Sequence, residues 1–141
     1  MSESVYPKIN ETKKFLLNNL HDIKKYYKPK LLGITQIGLT CSASRLPNII
    51  DWETMLKKLI DVLPNNAFIK PHPSFTSSKK VFDKFKLIYE KLNDKNIKLC
   101  QNDINLELEM LYEKKHLIGP QSSIQRYALS LGSKYKKINL F

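Results

Sequence analysis

Arginine is nearly absent. Only Arg45 and Arg126 stand among 24 basic side chains, and the rest are lysines. The formal net charge is +11, which points to an anionic partner: nucleic acid, an acidic membrane surface or anionic small molecules. Readers of bases and phosphate esters favour the planar arginine fork. Its scarcity weighs against nucleic acid, and a basic nucleic-acid-binding protein is the weakest of the readings kept open. A solvated lysine surface, resting near anionic lipid head groups, accounts better for the charge.

Cysteine and histidine are also scarce. Cys41 and Cys100 lie far apart and form no metal or redox motif. The three histidines give no metal-ligand spacing, so no metal is expected. No apolar run approaches the ~20 residues that span a bilayer. Residues 1–7 show no basic stretch leading into an apolar one, so no signal peptide is read there. These absences point to a reduced, cytoplasmic protein, at most peripheral at the inner face of the membrane. Repeats and low-complexity segments are absent too. The length of 141 residues suits one domain with its own core.

What is present is an alternation of apolar patterns. Residues 10–27 carry Phe15, Leu16, Leu20, Ile23 and Tyr27 at helical spacing, and Pro29 ends that helix. Residues 1–30 are read as an N-terminal helix and linker, and residues 31–141 as the domain proper. Leu31 to Ile37 reads as a strand, with Gly33 marking close backbone approach. Asp51 is the expected N-cap of a helix carrying Met55, Leu56, Leu59, Ile60 and Leu63. Ala67-Phe68-Ile69 reads as a buried strand. Ser77-Ser78 opens a helix with Phe82, Phe85 and Ile88. Residues 97–100 form a strand, Asp103 or Asn105 caps a helix, residues 116–119 form a strand, and a helix runs from Ser122-Ser123 to Leu131. Gly132 is its natural C-cap, and residues 137–141 make a last strand. Strands alternating with helices of this length predict right-handed βαβ units. The expected fold is α/β: a Rossmann-like three-layer domain with a parallel sheet of about five strands. With the order 3-2-1-4-5, the topological switch falls between the first and fourth strands.

Two loops at carboxyl strand ends suit an anion. In one, Lys70-Pro71-His72-Pro73-Ser74, each proline fixes its own φ and pushes the residue before it toward extended backbone. Lys70 and His72 are therefore held stiffly where ligands bind in open α/β sheets. The plain alternative is a Pro-terminated strand with a solvent-exposed His. The other loop, Gly119 to Ser123, offers two hydroxyls and the N–H groups of a helix start. Plain N-capping is the alternative there. A third loop, Gln36 to Arg45, brings Gly38, Thr40, Ser42 and Ser44 beside the switch point.

The strand ending in Lys70-Pro71-His72-Pro73, the later segment Leu117-Ile118-Gly119-Pro120-Gln121-Ser122-Ser123, and the strand after it resemble a known arrangement. It is the nucleotide-binding C-terminal half of bacterial GT-B glycosyltransferases. The closest resemblance is to the CMP-sialic-acid-dependent group: lipooligosaccharide sialyltransferases and capsule polysialyltransferases, which share a His-Pro and a Ser motif. It covers about residues 31 to 141. By this resemblance His72 contacts the donor phosphate and assists departure of CMP, as acid or hydrogen-bond donor. Pro73 completes the motif, Lys70 precedes it as basic residues often do, and Ser122 and Ser123 bind the same phosphate. Asn102 and Asp103 are implied contacts to cytosine and ribose. The substrate implied is a CMP-linked sugar, with no other cofactor.

CDP-polyol and other capsule-polymer transferases use a similar His and Ser pair and remain an alternative donor class. The chain departs from the sialyltransferases in one respect: the acidic motif ending in Gly, which carries the general base, is not found. The expectation is a donor-binding half whose acceptor domain or partner chain is separate, or a catalytically inactive nucleotide-binding remnant.

Overall fold

A computed structural model describes residues 14, 18–101 and 103–140. Its elements run α1 (Leu20–Tyr26), β1 (Gln36–Leu39), α2 (Ile49–Val62), β2 (Phe68–Lys70), α3 (Lys79–Leu92), β3 (Lys98–Leu99), α4 (Leu106–Tyr112), β4 (His116–Gly119), α5 (Ile124–Ser130) and β5 (Lys134–Lys137). The five strands form one parallel sheet in the order β3-β2-β1-β4-β5. The chain is a Rossmann-like three-layer α/β domain, with its switch point between β1 and β4.

Strand alternation divides the core. Ile69 and Ile118 face α2 and α3, where Trp52, Met55, Leu56, Leu59, Phe85 and Ile88 complete one cluster. Ile37, Leu39 and Leu117 face α4 and α5, where Leu106, Met110 and Ala128 complete the other. Gly38 lets α2 approach β1: a Cβ there would lie 2.7 Å from a methyl of Leu63. It takes the close-approach role assigned above to Gly33, which instead turns the chain at φ +84°.

At Gly119 the obstacle is rigid. A Cβ would sit 2.8 Å from Leu39 Cβ and 3.0 Å from the Leu39 carbonyl oxygen. Gly119→Ala is therefore expected to lose about 1–3 kcal/mol of stability, more than Gly38→Ala, whose leucine neighbours can rotate away. Denaturant unfolding checks it; equal midpoints for wild type and Gly119→Ala would contradict the packing described.

Several boundaries differ from expectation. The first strand is Gln36–Leu39, not residues 31–37, because residues 27–34 are claimed by a buried polar clamp. The carboxylate of Glu109, 1% exposed, accepts from the backbone N–H groups of Lys30 and Leu31 and from the Tyr27 hydroxyl. Nζ of Lys115, whose side chain is fully buried, donates to the carbonyls of Leu31 (2.6 Å) and Ile34 (2.8 Å) and to Glu113 (2.7 Å). Asn48, not Asp51, caps α2; Asp51 is the reciprocal member of a capping box. Ser78 and Asn105 cap α3 and α4. The expected strand at residues 97–100 shortens to Lys98–Leu99, and the last strand is Lys134–Lys137 rather than residues 137–141. Of the helix expected over residues 10–27, Phe15 and Leu16 lie outside the described residues.

The bond from Lys115 holds the Glu113 carboxyl below the usual carboxylate range. A carboxylate depressed in the fold contributes stability that is complete above its unfolded pKa of about 4.3 and lost as pH falls through the lower folded value. Acid unfolding should therefore steepen below about pH 4.3, and Glu113→Gln should flatten that part of the profile. Identical acid limbs would show that the pair contributes nothing.

Part of the positive charge has a structural reason. β5 is an edge strand with Lys134, Lys136 and Lys137 exposed, and the opposite edge, β3, is two residues long with Lys98 exposed. Lysines on edges and very short edge strands both block pairing with another chain. Among the described residues, no helix is long and apolar enough to cross a membrane, and no group of His, Cys, Asp and Glu is arranged to hold a metal ion.

Candidate functional site

The loops after β1, β2 and β4 leave the same, carboxyl edge of the sheet, with the β1 loop in the middle. The β2 loop is short and anchored at both ends. Pro71 is buried, and Phe75, wholly buried, packs edge-on against Trp52 at 4.9 Å and at a tilt against Phe85 at 4.8 Å. Between these anchors His72 is extended (φ −58°, ψ 144°) and exposed, and Pro73 starts a 3-10 turn, Pro73–Phe75. Sequence reasoning placed His72 here but missed Phe75 and Trp52 as its anchors. An aromatic three residues beyond the His was the available signal.

Two cross-links tie this loop to the β1 loop. The buried Thr40 hydroxyl accepts the His72 backbone N–H at 2.8 Å, and Ser74 Oγ accepts the Ala43 N–H at 2.8 Å. The β1 loop is itself held by Trp52, whose indole N–H donates to the Leu46 carbonyl at 2.8 Å. Within the β2 loop, His72 Nδ1 lies 2.8 Å from Ser74 Oγ and accepts the Ser74 N–H at 3.0 Å. Partial burial of the ring lowers the His72 pKa below its ordinary value.

On the other side of β1, Tyr135 of β5 fixes the β4 loop by donating its hydroxyl to the Pro120 carbonyl. Burial pushes the pKa of that phenol up to about 12, so it remains a donor at any physiological pH. Ser122 is half-buried, and its Oγ accepts the Ile124 N–H at a long 3.4 Å. Ser123 is exposed, has helical dihedrals and makes no capping bond through its side chain. Simple N-capping therefore does not explain that hydroxyl. The strands bearing His72 and the serines are two positions apart, a separation of about 10 Å at normal strand spacing.

Lys70, at the end of β2, and Asp103, in the loop after β3, stand at the same carboxyl edge. Lys70 shares a strand face with Phe68, on the α4 side, where its charge opposes the effect of burial, which raises the Cys100 thiol pKa to about 12. Asp103 is exposed and ion-paired with Lys30, which holds its carboxyl below the usual range. Asn102 lies outside the described residues. A cleft of about 150 Å³ lined by Gly33, Gln36 and Asn66 opens at the opposite, amino edge and has no titratable group in its lining. No protein-family model, curated protein or solved structure matches the chain, so the fold and the site rest on its own residues.

Proposed function

We propose that the carboxyl edge of this sheet binds the phosphate of a cytidine nucleotide sugar, as the donor half of a glycosyltransferase. The class favoured is a CMP-sialic-acid-dependent sialyltransferase or polysialyltransferase of surface glycans. The observation that carries the reading is the rigid presentation of His72 on one side of β1 with the Ser122-Ser123 hydroxyls on the other, at the switch point of a parallel sheet. Ligands of open α/β sheets lie in that crevice. An imidazole N–H and two hydroxyls are suitable donors to phosphate oxygens, and charge grows on those oxygens as the glycosidic bond breaks. Lys70, whose side chain lies on the α4 side of β2, and Asp103, paired with Lys30 in the loop after β3, are further candidates at that edge. The cytidine specificity rests on the motif resemblance alone.

Thermal unfolding tests the reading. CMP at 100 times its dissociation constant should raise stability by about 2.7 kcal/mol. CDP should act similarly if the donor is a CDP-polyol. No shift with either nucleotide at millimolar levels, together with a shift from short DNA, would transfer the case to nucleic acid. Release of CMP from CMP-sialic acid by this chain should be slow and little stimulated by a glycan acceptor. Robust acceptor-dependent turnover would mean that a base and an acceptor site lie among residues read here as scaffold.

A further inference from the structure

We propose that Ser74 is a positioning residue that fixes His72 as a neutral donor with its proton on Nε2, so that His72 serves the donor phosphate by hydrogen bonding rather than as an acid. The proposal rests on the donor-phosphate reading for its ligand, but the protonation state follows from the loop itself. A backbone N–H cannot act as an acceptor. The Ala43 N–H fills an acceptor position on Ser74 Oγ, which leaves the hydroxyl proton free to donate to His72 Nδ1, 2.8 Å away. The Ser74 backbone N–H points at the same Nδ1 from 3.0 Å. Two donors converge on one ring nitrogen, which must therefore carry the lone pair. In a neutral imidazole the proton then sits on the other nitrogen.

Nε2 has no hydrogen-bond partner among the described residues, and the ring is exposed on the carboxyl edge. Protonating Nδ1 would direct its new N–H at the Ser74 N–H, which cannot turn away. Partial burial of the ring acts in the same direction. At neutral pH the loop thus offers a bound phosphate a fixed N–H. A departing CMP would leave with its charge stabilised and no proton taken from His72. Thr40 supports this from the backbone side, because its bond to the His72 N–H sets where the ring emerges.

The test is a long-range ¹H–¹⁵N spectrum of the histidine rings, with His72 assigned through His72→Gln, combined with a CMP titration. The wild-type ring should be protonated on Nε2 alone at pH 7. Ser74→Ala keeps the backbone N–H but loses the hydroxyl bond, so the His72 ring should be held less firmly, with shifted and broadened ring resonances, and the protein should bind CMP roughly three- to tenfold more weakly. Ser74→Thr, which keeps the hydroxyl, should restore both. A wild-type ring protonated on Nδ1, or a Ser74→Ala protein with unchanged ring and unchanged CMP affinity, would overturn the proposal. An altered ring in Ser74→Ala, with CMP bound by neither protein, would support the lock while removing the donor reading.

Discussion

His72→Ala is expected to weaken CMP binding by about ten- to a hundredfold and to lower CMP release from the sugar donor by about 10²–10³-fold. A hydrogen bond to a charged group contributes about 1.5–3 kcal/mol, and 1.4 kcal/mol is a factor of ten in affinity. Removing a donor from a developing oxyanion costs more still, because the bond strengthens as charge accumulates. The fold should survive. His72 is exposed, and its ring bonds only to Ser74 among the described residues, through the N–H and hydroxyl at the start of a 3-10 turn, so the stability loss should stay near 1 kcal/mol. Phe75 and Trp52 still hold the loop. His72→Gln keeps a neutral N–H donor and should retain part of the binding that alanine loses. Calorimetric titration of the three proteins decides it, and equal CMP affinity in wild type and His72→Ala would remove His72 from the site.

The largest effect on stability is expected at Glu109. Glu109→Ala should cost about 3–5 kcal/mol, because it strips the acceptor from two backbone N–H groups and the Tyr27 hydroxyl at once. The Leu31 N–H is left buried without a partner, and the segment that leads into β1 keeps only the bond from the Tyr112 hydroxyl to the Tyr27 carbonyl as a side-chain hydrogen bond to α4 among the described residues. Tyr27 is prepared for that bond: burial and the Glu109 carboxylate beside it raise its pKa to about 12, so it stays protonated as the donor. Urea unfolding measures the loss. A change under 1 kcal/mol would mean that the segment is held by apolar contacts alone.

These two residues show what could and could not be seen in the sequence. The alternation of strands and helices, a parallel sheet of about five strands and the loop carrying His72 were legible, because apolar periodicity and the two prolines are local signals; the strand order entered only as a condition, because pairing between strands leaves no local mark. Glu109 was not legible. Among Leu106, Leu108 and Met110 it reads as one more charge on an amphipathic helix, and its partners lie 78 to 82 residues away. Lys115 is hidden for the same reason, as one lysine in a lysine-rich chain. Both errors move β1: residues 31–34 look like a strand until their N–H and carbonyl groups are seen to be taken by Glu109 and Lys115. The last strand was misplaced by the opposite effect. Lys134–Lys137 is a polar edge strand with no apolar run, so the pattern slid to Ile138, Leu140 and Phe141.

The site divides in the same way. His72, Ser122 and Ser123 could be placed on loops at strand ends from the sequence because Pro and Ser there have local meanings. Thr40 and Ser74 lay within loops already marked as polar, but their task was not visible. Thr40 meets His72 across 32 positions of sequence, and Ser74 meets Ala43 across 31. The pairing of Asp103 with Lys30 likewise spans 73 positions and was not visible in the sequence.

The most direct measurement of the central claim is a CMP titration followed residue by residue in a ¹H–¹⁵N spectrum of the labelled chain. Saturable shifts should concentrate at the His72 ring and at the backbone amides of Ser74, Ser122 and Ser123. The amino-edge cleft around Asn66 should stay silent, and short DNA should not reproduce the pattern. Shifts confined to that cleft, or no saturable shift at His72 and Ser123 up to millimolar CMP, would contradict a donor-phosphate site at the carboxyl edge.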